Sequence, residues 1–399
     1  MGDVVNEKTK VLAFGEIMMR LSPPDNLRLE QASTFEVRYG GAEANAALSL
    51  AYQGDDAAFV SIVPANRIGD CALRSLASYG VDVSRVVRSG DRLGSYFFEV
   101  GASVRSNGCV YDRKYSAISL AGHDELDWGA ILEGVGAFYV SGVTPAVSEE
   151  MALACEEALA ACRERGITTI LDLNYRGKLW SPERAQAVMA RLMPHVDVCV
   201  ANDEDAPSAL GMTCVSGSLS NGIEERDDYV EMARQICERY GCGMVASVIR
   251  DVRSVEDSDW MGMVYADGEP HFSSVHHVHV LEAPVDHLHV VARRDDVARA
   301  RVHGPARLLE VEHGTGAHEQ VGALLAHLVD CVGGAGGAEG DLGRGQAALH
   351  EHVSHRQRVL DTVEHDDRHH ADPLHLAIEP VHVPHVSPLL PEAPAKPDS

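Results

Sequence analysis

The chain has 399 residues, 45% of them hydrophobic, and a formal net charge of −26. That is apolar material for one large domain or two ordinary ones, but so acidic a chain lacks the basic face that a general nucleic-acid or anionic-membrane binder needs. No run of 18 or more apolar residues occurs, so no segment reads as a helix that crosses a bilayer.

The first residues, MGDVVNEKTKVLAFGE, are polar and then strand-like. They lack the basic start, apolar middle and cleavage site of a signal peptide. The nine cysteines are scattered singly, with no CxxC pair. That pattern suits reduced thiols in a cytoplasmic enzyme better than a disulfide framework or a zinc site.

YGGAEANAALSLAYQG (39–54) places Gly40 and Gly41 directly before a helix, with Asn45 in its first turns. The glycines let a ligand approach the backbone, the helix start offers N–H groups, and the Asn45 amide can donate to and accept from a polyol hydroxyl. A Gly-Gly turn that only caps a helix is the other reading. AAFVSIV (57–63) reads as a buried strand, followed by a helix over 67–80 with Ile68, Ala72, Leu76 and Tyr79 on one face. RLGSYFFEVGASVRSNGCVYDRKYSA (92–117) breaks the alternation. Its two β-rich runs, SYFFEV and GCVYDR, predict a hairpin off the main sheet, either a lid over a site or an ordinary edge hairpin.

AFYVSG (137–142) is a strand, and SEEMALACEEALAACRERG is a helix capped by Ser148 and stopped at Gly166. ITTILDL (167–173) is a strand. SPERAQAVMARLM follows as a helix, with Ser181 as cap and Pro182 at its first position. VDVCVAN (196–202) and GMVASVI (243–249) are strands on either side of a helix over 228–241. Repeated β-α units of this length predict a parallel sheet wrapped by helices on both faces, with ligands at the carboxyl ends of its strands.

Two basic clusters stand out in so acidic a chain. One is Tyr111, Arg113 and Lys114 on the hairpin; the other is Asn174, Arg176 and Lys178 after the 167–173 strand. Arginine grips a carboxylate with two prongs, which lysine cannot copy. Together they point to a small anionic substrate, unless they pair with nearby acidic side chains instead. ANDEDA (201–206) ends another strand with Asn202, Asp203, Glu204 and Asp205. This is either an oxygen set that holds Mg²⁺ through water or a solvated acidic loop.

GGAEANAA, YFFE, VYDR, SGVTPA (141–146), DLNYRGKLW (172–180) and ANDEDA occur in the order and spacing of the ribokinase-like (PfkB) sugar kinases. The resemblance covers about residues 8–282 and is closest to 2-keto-3-deoxygluconate kinases; generic ribokinases lack SGVTPA followed by DLNYRGKLW. It implies a three-layer α/β sandwich with a mostly parallel sheet and a small β lid over about 92–118. It also implies ATP with Mg²⁺ and phosphorylation of a sugar acid on its terminal hydroxyl, giving the 6-phosphate. By the same resemblance Gly41 and Asn45 hold sugar hydroxyls, Tyr96 and Tyr111 line the pocket, and Arg113 and Arg176, with Asn174 beside them, face the carboxylate. Asn202, Ser247 and Arg250 lie on the ATP side, and Asp205 is near the metal, where a glutamate is usual. Lid hairpins of this family often pair, so a homo-oligomer through the lid is among the expectations. A neutral-sugar kinase, for fructose for example, is the generic alternative.

The composition then changes. Residues 276–399 contain eighteen of the 21 histidines and no Phe, Tyr, Trp, Met or Asn. This segment is a disordered low-complexity tail, a metal-binding tail with HDDRHH (365–370) as its best stretch, or the product of a reading frame lost near residue 275. The resemblance implies a catalytic aspartate in a Gly-Ala-Gly-Asp or Gly-Gly-Gly-Asp helix start, whose N–H groups form an anion hole. The strand before it begins as VHVLE (278–282), but APVDHLHV stands where the glycines belong. GGAGGAEGD (333–341) has Gly337 where the aspartate is needed. No catalytic residue is therefore assigned, and a catalytically inactive sugar-acid binder is the second reading.

Overall fold

Alternation along the first strand already sets the architecture. In β1 (Val11–Phe14), Leu12 and Phe14 face one apolar core while Val11 and Ala13 face another. Both faces are covered, as a parallel strand requires. The computed structural model describes residues 9–101, 105, 107–212, 222–253 and 257–279.

In chain order, β2 (Met18–Ser22) and β3 (Glu36–Gly40) lead into α1 (Ala42–Gln53). Next come β4 (Ala57–Val60), the short β5 (Ile62–Val63), α2 (Arg67–Ala77) and β6 (Val87–Arg88). β7 (Ser95–Glu99) and β8 (Gly108–Asp112) precede the one-turn helices α3 (Ala117–Leu120) and α4 (Trp128–Ile131). β9 (Ala137–Ser141), α5 (Val143–Val147), α6 (Glu149–Arg165), β10 (Thr168–Asp172) and α7 (Pro182–Leu192) follow. The described residues end with β11 (Val198–Val200), α8 (Asp205–Leu210), α9 (Arg226–Tyr240), β12 (Met244–Val252), β13 (Asp257–Ala266), β14 (Glu269–Phe272) and β15 (His276–His279).

The main sheet runs β14-β13-β12-β11-β10-β9-β1-β4, with β15 also on β13. From β12 to β4 every neighbouring pair is parallel; β13, β14 and β15 add antiparallel pairings at one edge. The helices from α4 onward pack into the core containing Leu12, Phe138 and Leu171. Helices α1 and α2 pack into the core containing Val11, Phe59 and Tyr139.

The expected helix caps are present. Ser148 Oγ accepts from the Met151 N–H and Ser181 Oγ from the Arg184 N–H, and Gly166 closes α6 with a left-handed φ of 70°. The expected face of α2 is half right. Ala72 and Leu76 are buried, but Ile68 and Tyr79 are 46% and 42% exposed. Asn66 caps α2 through the N–H groups of Ile68 and Gly69, which turns Gly69 inward instead of Ile68.

The expected hairpin forms, with Tyr96 opposite Tyr111, but it does not stand alone. β2 pairs with β7 and β3 with β2, so the lid is a four-stranded sheet, β3-β2-β7-β8. The expected strand over 243–249 runs on as β12 to Val252, and β12 and β13 pair antiparallel with Arg250 opposite Trp260. Of the expected VHVLE strand, Val278 and His279 pair with β13. Residues 280–399, including HDDRHH and GGAGGAEGD, lie outside the described residues.

Candidate functional site

The carboxyl ends of β1, β9 and β10 meet the N-terminus of α1 below the lid, and three sequence motifs interlock there. Glu43 of GGAEANAA is fully buried. Its Oε1 accepts from the Ser141 N–H at 3.1 Å, from Ser141 Oγ at 2.6 Å and from Thr144 Oγ1 at 2.8 Å. Ser141 pairs with Asp172 between β9 and β10, and the Gly142 N–H donates to the Asp172 carbonyl at 2.7 Å. A Cβ on Gly142 would collide with the Leu173 carbonyl oxygen. This contact joins SGVTPA to DLNYRGKLW: one supplies the glycine that the other's backbone presses against.

Asp172 is 1% exposed. Its Oδ2 accepts from Tyr139 OH at 3.4 Å and from Asn174 Nδ2 at 3.3 Å. Burial, then the nearby Asp205, push the Asp172 carboxyl up to about 8, against the pull of Arg176. Burial likewise raises Glu43. Among the described residues no group bonds Asp172 Oδ1 or Glu43 Oε2. Asn174 turns the chain after β10 with a φ of 35°, a left-handed conformation that asparagine tolerates better than most residues. It is buried and serves this floor.

The rim of the site is basic and aromatic. Tyr96 and Tyr111 lie with ring centroids 5.8 Å apart. The Arg113 guanidinium and the Lys178 ammonium are each 5.9 Å from the centre of the Tyr111 ring. Lys178 also donates to the Cys109 carbonyl at 3.4 Å, which ties the loop after β10 to the lid. Partial burial pushes the Tyr111 phenol up to about 12, while Arg176 and Arg113 pull it down. Arg176, which donates to the Tyr175 carbonyl at 3.0 Å, thus acts on Tyr111 above and on Asp172 and Asp205 below. Arg113 forms an ion pair with Glu16. The expected alternative, that these cations pair with acidic side chains of the chain itself, therefore holds in part.

Gly41 caps α1 in an extended conformation open to any residue, so its glycine is a matter of space: a Cβ would collide with the Glu16 carbonyl oxygen. Its N–H reaches Asn45 Oδ1 at 3.5 Å, and Asn45 is half-buried in the first turn of α1.

The residues expected on the nucleotide side lie around the ends of β11 and β12. Asn202 Oδ1 accepts from the Val248 N–H at 3.1 Å. Ser247 is fully buried and donates its hydroxyl to the Ala201 carbonyl at 2.6 Å, so that hydroxyl is engaged inside the protein and ties β12 to the loop after β11. Arg250 is exposed on β12, its guanidinium 5.7 Å from the Trp260 ring centre. Asp205 is 7% exposed and accepts the Tyr175 N–H at 2.7 Å; burial lifts its carboxyl to about 6. Among the described residues no group of three or more His, Cys, Asp or Glu side chains could hold a metal ion.

The sequence pattern passed over Glu16, Glu43, Tyr139 and Asp172. Acidic residues inside strand-and-helix motifs read as solvated; the signal was their small or apolar neighbours, which forecast burial.

Residues 8–245 match the pfkB family carbohydrate kinase profile. Over 222 residues the chain is 41% identical to a 2-dehydro-3-deoxygalactonokinase of Haloferax volcanii, covering 55% of this chain and 69% of that one. Over 187 residues it is 33% identical to a 2-dehydro-3-deoxygluconokinase of Bacillus subtilis, covering 45% of this chain and 56% of that one. A 2-dehydro-3-deoxygluconokinase structure from Thermotoga maritima superposes with a TM-score of 0.66 at 42% identity, over 69% of this chain and 82% of that one. The chain thus spans between 56% and 69% of the length of these two curated relatives. By family and by fold, the chain belongs to the pfkB carbohydrate kinases.

Proposed function

We propose that the site binds a small sugar acid, 2-keto-3-deoxygluconate or its galactonate epimer, and that the fold descends from kinases that phosphorylate such acids at the terminal hydroxyl. One observation carries this reading: Arg113 and Arg176 act together on Tyr111, with Lys178 beside them, in a chain of net charge −26. A cationic cluster under a lid suits a carboxylate, which two guanidinium forks can grip. Gly41 and Asn45 offer hydroxyl contacts at the start of α1, and Tyr96 adds a wall.

In the kinase reaction the sugar hydroxyl attacks the γ-phosphorus of ATP, ADP leaves, and a base takes the hydroxyl proton. Asn202 and Arg250 are the groups we assign to the nucleotide side. Mg²⁺, when bound, would neutralise phosphate charge, with Asp205 reaching it through water. The base and the anion hole are expected from a Gly-Ala-Gly-Asp helix start, and the sequence after VHV reads LEAPVDHLHV instead. We therefore expect this chain to bind sugar acid with little or no phosphoryl transfer.

The test is calorimetric titration of the full chain with 2-keto-3-deoxygluconate, its galactonate epimer and fructose, beside an ADP-release assay. Arg176→Ala is expected to weaken the acids by about 10-fold or more and to leave fructose as it was. Equal loss on acid and neutral sugar would sink the carboxylate role. Rapid ADP release dependent on the sugar acid would show that the chain supplies its own catalytic base.

A further inference from the structure

Glu16, in the turn between β1 and β2, contacts the site from behind on several sides. Its Oε2 pairs with Arg113 Nη2, and its Oε1 accepts from Ser116 Oγ at 2.8 Å. A Cβ on Gly94, at the root of β7, would lie 2.8 Å from the same Oε1, and the Glu16 carbonyl oxygen occupies the space that a Cβ on Gly41 would need. The Glu16 side chain is 3% exposed and the Arg113 side chain 11%. Ion pairs this deep lose much when one partner is removed, because the other stays buried and uncompensated. The guanidinium carries five N–H donors in a rigid fork. With Nη2 on Glu16, its remaining donors can serve a second acceptor without the side chain moving.

We infer that Glu16 is a positioning residue for carboxylate recognition: its buried carboxylate, with Ser116, fixes Arg113 beside Tyr111 and so sets the preference for an acid over its neutral counterpart. This rests on the sugar-acid reading of the pocket. A lysine at 113 could not hold Glu16 and a ligand carboxylate in the same fixed plane, because its ammonium is a point charge on a flexible stem.

Glu16→Gln keeps an acceptor for Ser116 and nearly the same volume while removing the charge; Glu16→Asp keeps the charge on a shorter stem. Two readouts on the full chain separate the outcomes. The first is the rate at which phenylglyoxal modifies Arg113 without ligand, followed by peptide mass spectrometry. The second is the calorimetric ratio of affinities for 2-keto-3-deoxygluconate and its primary amide. Glu16→Gln is expected to raise the Arg113 modification rate several-fold and to weaken the acid about 10-fold with the amide unchanged. Glu16→Asp should recover part of both. An ion pair that merely stabilises the lid would lower the melting temperature and weaken acid and amide alike, and that result would overturn the inference. So would unchanged reactivity with an unchanged ratio. A wild-type chain that binds neither ligand overturns the sugar-acid reading and the specificity half of this inference with it, while the fixing of Arg113 still stands or falls on its reactivity.

Discussion

Glu43 and Asp172 in the floor of the site are at most 1% exposed, whereas Tyr111 on its rim is 44% exposed. The floor is acidic and the rim is basic, yet the two are not simply opposite charges facing each other. Burial raises the floor carboxyls, which favours their neutral forms. The rim holds the Arg113 guanidinium and the Lys178 ammonium beside the Tyr111 ring. The floor is therefore a hydrogen-bonded frame that sets where strands end, and the rim is where a ligand's charge would be met. If that division is right, damage to the floor appears as lost stability and damage to the rim as lost binding.

The largest expected effect separates two glycines of neighbouring motifs. At Gly142 in the floor a Cβ meets the Leu173 carbonyl oxygen, a backbone atom that cannot turn away. At Gly177 on the rim loop it meets only the Tyr175 ring, at an ordinary 3.6 Å. Gly142→Ala is expected to cost about 3 kcal/mol or to prevent soluble expression. Gly177→Ala should stay within about 0.5 kcal/mol of the parent. Urea unfolding of both variants checks the contrast, and equal costs would erase it.

The same contrast explains what could be read in advance. Strands and helices of the main sheet were legible because their apolar runs and caps are local: Ser148, Ser181 and Gly166 announce helix ends without reference to anything distant. The lid was legible only as a hairpin. β2 and β3 complete it from a remote part of the chain, joined by the tertiary pairing of Met19, Arg20 and Leu21 with Ser95, Tyr96 and Phe97. Rim residues were legible because basic and aromatic side chains are rare enough in this chain to be noticed. Floor residues were not. Glu43 looks like any helical glutamate until Ser141 and Thr144, about a hundred residues later, close around it. The burial of the Ser247 hydroxyl was not legible for a related reason: it bonds the Ala201 carbonyl after the neighbouring strand β11, and no periodicity reveals that.

A smaller effect tests the floor electrostatics. Asp172 is faced by Asp205, Arg176, Glu43, Tyr139 and Asn174, and its folded pKa lies near 8, above the ordinary 3.8. The native state therefore binds the proton more tightly than the unfolded chain does. This contribution to stability is fully present below about pH 4 and is lost as pH rises toward and through about 8. Asp172→Asn mimics the protonated acid and should flatten that decline. The difference between variant and parent unfolding free energies should grow with pH across this window, with a slope no steeper than about 1.4 kcal/mol per pH unit for one proton. A flat difference would mean that Asp172 is ionised in the folded protein and that the floor is charged after all.

The smallest expected effects belong to the rim. Tyr111→Phe keeps the ring against Tyr96 and removes only the hydroxyl; Lys178→Ala removes one cation and its bond to the Cys109 carbonyl. Both positions are on the outer side of the site, where removing a group leaves little that is buried and unsatisfied. Each variant should keep its unfolding free energy within about 0.5 kcal/mol of the parent. Lys178→Ala should weaken sugar-acid binding several-fold, and the loss should shrink as salt is added, because the cation acts through solvent. Tyr111→Phe should weaken it less, and equally at pH 6 and pH 9, since a phenol held near 12 is protonated at both. Loss of stability in either variant, without loss of binding, would mean that rim and floor are one structural unit and that the cations around Tyr111 serve to fasten the lid.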